Sequence, residues 1–137
     1  MRRVEWLAIG FEIIDCSFPT WEFKPADFIA AFGLHLKLAV GEPFMVEDSM
    51  IPSLATALSQ FKVRLSRNGE FVEEGAGRNS LRSPALCLAE LGGATPLAAG
   101  ELVSSGTLIN GQPITKGDRW DVAVKGLPVA GLALGFE

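Results

Sequence analysis

The stretch Phe61-Lys62-Val63-Arg64-Leu65-Ser66-Arg67-Asn68-Gly69-Glu70-Phe71-Val72-Glu73-Glu74 decides the fold class. Phe61, Val63 and Leu65 alternate with Lys62, Arg64 and Ser66, the period of two that marks a strand with one buried face. Asn68-Gly69 places two residues tolerant of positive φ where a tight hairpin turn needs them, so 70–74 returns as the partner strand. Lys62, Arg64 and Arg67 form the only local cluster of cations and read as one solvated strand face.

Upstream, residues 4–15 are rich in Ile, Val, Trp and Phe and read as one or two buried strands. Ser17-Phe18-Pro19-Thr20-Trp21 is a loop with aromatic side chains. Pro25 opens a short helix over 25–32, because its fixed φ and missing N–H do no harm at a first helical position, and Gly33 is placed as its C-cap. The period then returns to two, with Leu34, Leu36, Leu38 and Val40 on one side and His35, Lys37 and Ala39 on the other. Residues 41–52 read as a loop exposing Glu42, Glu47 and Asp48.

Downstream, Ser83-Pro84 is an N-cap followed by proline, opening a helix to Leu91 that Gly92-Gly93 stops. Strands are expected over 101–105 and 119–124, and Lys125-Gly126 turns into a final apolar strand. The total of roughly seven short strands and two short helices makes an α+β, β-rich chain, a mixed β-sandwich or roll.

The chain has 137 residues, a length suited to one domain, and no linker, repeat or low-complexity tract divides it. Hydrophobic residues make up 48% and charged residues 20%, which excludes a disordered or fibrous chain. Fifteen glycines and eight prolines, about 17% of the chain against a usual share of about 12%, favour turns and short strands over a helical bundle. Twelve Lys and Arg against sixteen Asp and Glu leave a net charge of -4, and the scattered cations exclude a nucleic-acid binder. Cys16 and Cys87 have no CxxC partner and read as buried free thiols in a reducing compartment.

Met1-Arg2-Arg3 before an apolar run superficially resembles a signal peptide, but Glu5 and Glu12 interrupt the run and no small-residue cleavage site follows. The most apolar segment, 127–136, is too short to span a bilayer as a helix. A cytoplasmic protein without membrane or nucleic-acid partners is therefore expected.

Composition and periodicity go no further; the next step rests on motifs. Gly10-Phe11-Glu12-Ile13-Ile14-Asp15, then Trp21, then Ala26-Asp27 resembles a segment of the 2-keto-4-pentenoate hydratase family, within the fumarylacetoacetate hydrolase-like superfamily. Asn68-Gly69-Glu70, Gly75-Ala76-Gly77 and Leu81-Arg82-Ser83-Pro84 resemble that family's hairpin, the Gly-Ala-Gly after it and the start of its Leu-x-x-Pro helix. Leu97-Ala98-Ala99-Gly100-Glu101, Ser104-Ser105-Gly106-Thr107-Leu108, Gly117-Asp118, Trp120 and Gly126-Leu127 follow in the family's order. Residues 1–137 as a whole resemble the C-terminal portion of such a hydratase.

The resemblance implies the fumarylacetoacetate hydrolase C-terminal fold and a metal-dependent addition of water to a 2-hydroxy-2,4-dienoate, giving a 4-hydroxy-2-oxo acid in aromatic-compound breakdown. It implies Mg²⁺ or Mn²⁺ as cofactor with Glu12 as one carboxylate ligand. It also implies a Glu-x-Glu pair and a Lys upstream, which these residues do not supply, so a second chain supplying the missing carboxylates is expected, together with homo-oligomerisation. The other readings are a non-catalytic remnant or accessory subunit, or a related 2-oxo acid decarboxylase or acylpyruvate hydrolase.

Each site residue also has a plain structural reading. Glu12 suits a hard cation that wants oxygen ligands, or a strand-end carboxylate facing a cation or solvent. Asp15 could orient Glu12 or cap a turn, and Asp27 suits the first turn of a helix. His35, the single histidine, could shuttle a proton to a dienol or activate water, or serve as a structural residue on a half-buried strand. Ser105, Gly106 and Thr107 could bind the substrate carboxylate through N–H groups and hydroxyls, with Ser104 contributing, or form an ordinary turn. No G-x-S-x-G elbow, ordered Ser-His-Asp set or phosphate loop supports another enzyme class, and Gly75-Ala76-Gly77 lacks the dinucleotide-binding pattern and reads as a loop.

Overall fold

The computed structural model describes residues 4–137; the Met1-Arg2-Arg3 start of the leader-like segment lies outside the described residues. The elements run β1 (Trp6–Leu7), β2 (Gly10–Ile14), α1 (Pro25–Ala30), β3 (His35–Val40), β4 (Phe44–Met45), α2 (Ile51–Gln60), β5 (Lys62–Arg67), β6 (Glu70–Ala76), α3 (Pro84–Ala94), β7 (Arg119–Lys125) and β8 (Leu132–Gly135). The strands form a four-stranded antiparallel sheet in the order β6-β5-β7-β8 and two antiparallel pairs, β1-β4 and β2-β3. The α+β, β-rich class stands, with three α-helices among the described residues in place of two.

The hairpin forms as its residues dictate. Phe61, Val63 and Leu65 are all buried, and Asn68 and Gly69 take φ of 53° and 86°, both positive as a tight two-residue turn requires. With Leu58, Trp120 and Val122 these three make the core, against which Leu7, Ile9 and Phe11 pack. Arg67 departs from the solvated face expected for it: its guanidinium turns onto Asp118, 2.8 Å away, while Lys62 and Arg64 remain exposed.

Five segments differ from expectation, each for a physical reason. Helix α2 begins inside the expected loop because Pro52 sits in a first helical turn, where proline is tolerated, and Leu54 and Leu58 then bury at a spacing of four. Helix α3 runs through Gly92-Gly93 to Ala94; the stop is Pro96, which holds Thr95 in an extended conformation (φ -145°, ψ 140°). Helix α1 ends at Ala30, and Gly33 sits inside a separate turn rather than capping it. Residues 101–105 form no strand, because no neighbouring strand pairs with them among the described residues. Gly75-Ala76-Gly77 is not a loop: Gly75 and Ala76 end β6, and Gly77 opens the 3-10 turn that follows.

Asp118 is the charged centre of the closing strands. It lies 5% exposed, its Oδ1 accepting from Arg67 and its Oδ2 from the Thr115 amide at 2.8 Å. Burial pushes its pKa up, but the Arg67 hydrogen bond, the Thr115 amide and the Arg67 charge together outweigh it, leaving the carboxyl below its ordinary value. A depressed folded pKa stabilises the fold above the unfolded value, about 3.9, and that stabilisation is lost as pH falls through the lower folded value. The melting temperature should therefore drop on acidification below about pH 4, and Asp118→Asn should lower it by several degrees at neutral pH while flattening the acid-side slope. An unchanged acid slope in thermal melts of the variant would contradict the assignment.

The chain exposes 9322 Å² of surface. A compact monomer of this size exposes on the order of 7,000 Å². Several of the exposed large hydrophobic side chains lie around α1. Phe18, Phe23 and Phe28 follow one another at ring separations of 5.8 and 6.0 Å, flanked by Trp21, Ile29 (75% exposed) and Phe32 (88% exposed).

Candidate functional site

Glu12 stands in the middle of β2. Its neighbours Phe11 and Ile13 turn inward by strand alternation, and Phe11 packs on the core, so Glu12 faces outward. Strict alternation along β3 would put His35 with Lys37 and Ala39 on the opposite face. The register prevents this: Glu12 pairs with Leu38 and Ile13 with Lys37, but Ile14 pairs with His35, so Leu36 is the extra residue of a bulge. Cross-strand partners share a face, and His35 thereby joins Ile14 and Glu12.

The bulge brings the imidazole Nδ1 of His35 to 2.7 Å from Glu12 Oε1, with side chains 44% and 39% exposed. The entrance to β3 is shaped too. Phe32, Gly33 and Leu34 take consecutive φ values of 52°, 67° and 62°, and the Asp15 amide donates to the Leu34 carbonyl at 3.0 Å. Left-handed conformation at a bulky Phe and Leu is strained, and such strain gathers where a side chain must be aimed. Asp15 therefore takes part through its backbone. Asp27 has the capping role, its Oδ2 accepting from the Lys24 amide at 2.9 Å.

Ser105, Gly106 and Thr107 lie in the irregular segment after α3. Its backbone is tethered by side chains from the turn before α3: Ser80 Oγ donates to the Ser105 carbonyl, and Asn79 Nδ2 to the Leu108 carbonyl at 2.8 Å. Gly106 takes a φ of 96°, which glycine adopts without strain. Ser80 is buried while Gly106 and Thr107 are exposed, so the tether is fixed and the segment's tip faces solvent. Leu81 and Arg82 also have positive φ, 44° and 68°. Asn79 and Ser80 were not singled out from the sequence; the polar run Arg78-Asn79-Ser80 between a strand and an N-capped helix was the available signal.

The structure thus joins Glu12 to His35 and ties Ser105 to Ser80. No hydrogen bond links these two groups among the described residues. The segments approach each other where Gly111 packs near Ile14. As a donor, Glu12 fits a divalent cation: Oε1 is engaged by His35, and Oε2 makes no hydrogen bond among the described residues. Those residues contain no group of three His, Cys, Asp or Glu side chains placed to hold an ion together. Glu12 is one part of an ion site, not the whole of one. No helix among the described residues is long and apolar enough to cross a membrane.

The chain has relatives among known proteins. The chain is 30% identical over 132 residues to the 2-hydroxyhexa-2,4-dienoate hydratase of Comamonas testosteroni, covering 93% of itself and 48% of that protein. It is 30% identical over 135 residues to 2-keto-4-pentenoate hydratase 1 of Dechloromonas aromatica strain RCB, with the same coverage of both. It spans about half the length of these relatives.

Among solved structures, the 4-oxalocrotonate decarboxylase of Pseudomonas putida G7 complexed with calcium and acetate superposes with a TM-score of 0.77 at 22% identity, over 97% of this chain and 49% of that one. The same enzyme complexed with magnesium and adipate gives a TM-score of 0.72 at 23% identity, with the same coverage. These superpositions show a shared fold. The fumarylacetoacetate (FAA) hydrolase C-terminal family matches residues 6–131, and the chain belongs to that family.

Proposed function

We propose that the chain serves as the C-terminal, substrate-facing part of a metal-assisted hydratase for 2-hydroxy-2,4-dienoates, yielding 4-hydroxy-2-oxo acids. The observation that carries this reading is Glu12, held outward on β2 with one carboxylate oxygen open. The hydratase relatives are 30% identical across nearly the whole chain, and the fold relatives are complexed with calcium or magnesium. A bound Mg²⁺ or Mn²⁺ would chelate the 2-oxo acid and stabilise negative charge on its enolate oxygen.

The chain's own residues would do the rest of the binding. Glu12 contributes one oxygen donor. Gly106, with its open backbone, and the hydroxyl groups of Thr107 and Ser105 suit the substrate carboxylate, and Ser80 and Asn79 hold that segment in place. The reaction balances simply: the enol loses its hydroxyl proton, carbon gains a proton, and the elements of water add across the remaining double bond.

The further carboxylates come from outside these residues. The exposed aromatic rings around α1 and the excess of surface over a compact monomer support a covering partner on that side, whether a second chain or further copies in an oligomer. A decarboxylase of 2-oxo-dienedioates is the second reading, favoured by the fold relative with a TM-score of 0.77.

The test is to isolate the assembly formed around this chain and supply 2-hydroxypenta-2,4-dienoate and, separately, a 2-oxo-hexenedioate. Ion-dependent loss of the dienol with formation of a 4-hydroxy-2-oxo acid is expected. Release of CO₂ from the diacid would favour the decarboxylase, and turnover of neither acid would overturn both readings.

A further inference from the structure

A strand that only covers the core needs neither a bulge nor a left-handed turn at its entrance, yet β3 has both and both act on His35. The bulge at Leu36 moves the imidazole onto the face of Glu12. The turn at 32–34, fastened to the end of β2 by the Asp15 amide, sets where the strand begins. The product is a 2.7 Å contact between two side chains that both remain open to solvent. Exposed contacts of this kind contribute little to stability, so the fold gains little from this one.

We infer that His35 is a positioning residue for Glu12. Its Nδ1–H donates to Oε1, fixes the plane of the carboxylate and leaves Oε2 as the single oxygen presented to a divalent cation. The inference rests on the reading of Glu12 as an ion ligand and deepens it. Carboxylate ligands are themselves hydrogen-bonded, and the partner that orients them tunes ion affinity. His35 thus acts through Glu12 rather than on the substrate. Two consequences follow: the neutral imidazole carries its proton on Nδ1, and Glu12 binds an ion through one oxygen.

The single histidine makes the test unambiguous, because its ring signals in nitrogen-detected magnetic resonance have one source. In alkaline buffer the wild-type chain should show the Nδ1–H tautomer, and Glu12→Gln should shift the population toward Nε2–H. In parallel, Mn²⁺ is titrated, with oxalate present, into the assembly isolated around this chain. His35→Ala should weaken binding about 10-fold or more, His35→Asn, whose amide N–H falls near the place of Nδ1–H, should recover most of it, and both should melt within about 2 °C of wild type.

Binding unchanged in His35→Ala but lost in Glu12→Gln would overturn the inference and leave Glu12 as a ligand. Loss in both His35 variants with an Nε2–H tautomer in wild type would also overturn it, making His35 a ligand itself. Binding absent from wild type, or unchanged in Glu12→Gln, would remove the ion site and the inference with it.

Discussion

Gly77→Ala is expected to destabilise the chain by about 3 kcal/mol or more, a large fraction of the roughly 5–15 kcal/mol that holds a domain of ordinary stability together. Gly77 follows β6 where the chain passes under the end of α2, and its amide donates to the Phe61 carbonyl at 3.0 Å. A Cβ there would collide with the Leu58 carbonyl oxygen and sit 2.5 Å from Phe61 Cε1. Neither neighbour can give way, since Leu58 and Phe61 both belong to the buried core. Its φ is not the reason; the requirement is close approach of backbone to backbone.

Gly75 is under the same constraint: a Cβ there would meet the Leu108 carbonyl oxygen and lie 2.7 Å from Ile109 Cγ1. Denaturant unfolding of Gly77→Ala and of the exposed control Gly93→Ala separates packing from general glycine effects, because nothing lies near a Cβ at Gly93. Equal midpoints for the two variants would contradict the packing account.

Glu12→Gln is expected to weaken Mn²⁺ binding in the presence of a chelating 2-oxo acid mimic by about 100-fold, with little change in melting temperature. An amide keeps the shape and one carbonyl oxygen but loses the negative charge that a hard cation requires. Its stability effect should be small because Glu12 faces solvent and its one contact, to His35, is also exposed. The turnover of the complete assembly should fall by a comparable factor. Calorimetric titration and a thermal melt on the same sample check both halves; a large loss of stability would instead make Glu12 a structural residue.

Much of this architecture was legible in the residues. The alternation of Phe61, Val63 and Leu65 and the Asn68-Gly69 turn built the central hairpin as read, because local pattern and tertiary burial agree there. Ser83-Pro84 capped its helix as expected, the Ala85 amide donating to Ser83 Oγ at 3.2 Å. The α2 helix escaped notice because Pro52 reads equally well as the end of a loop and as a first helical turn. The strand expected at 101–105 depended on a partner that propensity cannot supply.

The candidate site divides the same way. Glu12 could be named from its motif, since the residue type and its setting travel with the sequence. The contact with His35 could not, because it depends on a one-residue slip in register that period-two reasoning places on the wrong face. Ser80 and Asn79 were hidden for a related reason. They act on the carbonyls of Ser105 and Leu108, 25 and 29 residues away, and nothing local marks such a bond.

The most direct test of the central claim, that Glu12 offers a divalent cation one arm of a 2-oxo acid site, is a calorimetric Mn²⁺ titration of the assembly isolated around this chain, with and without oxalate. The account predicts saturable binding that oxalate strengthens, because the dianion fills two positions that the carboxylates leave open, and that Glu12→Gln weakens about 100-fold. Binding that oxalate leaves unchanged, or that is undiminished in Glu12→Gln, would contradict it, as would no binding in either condition.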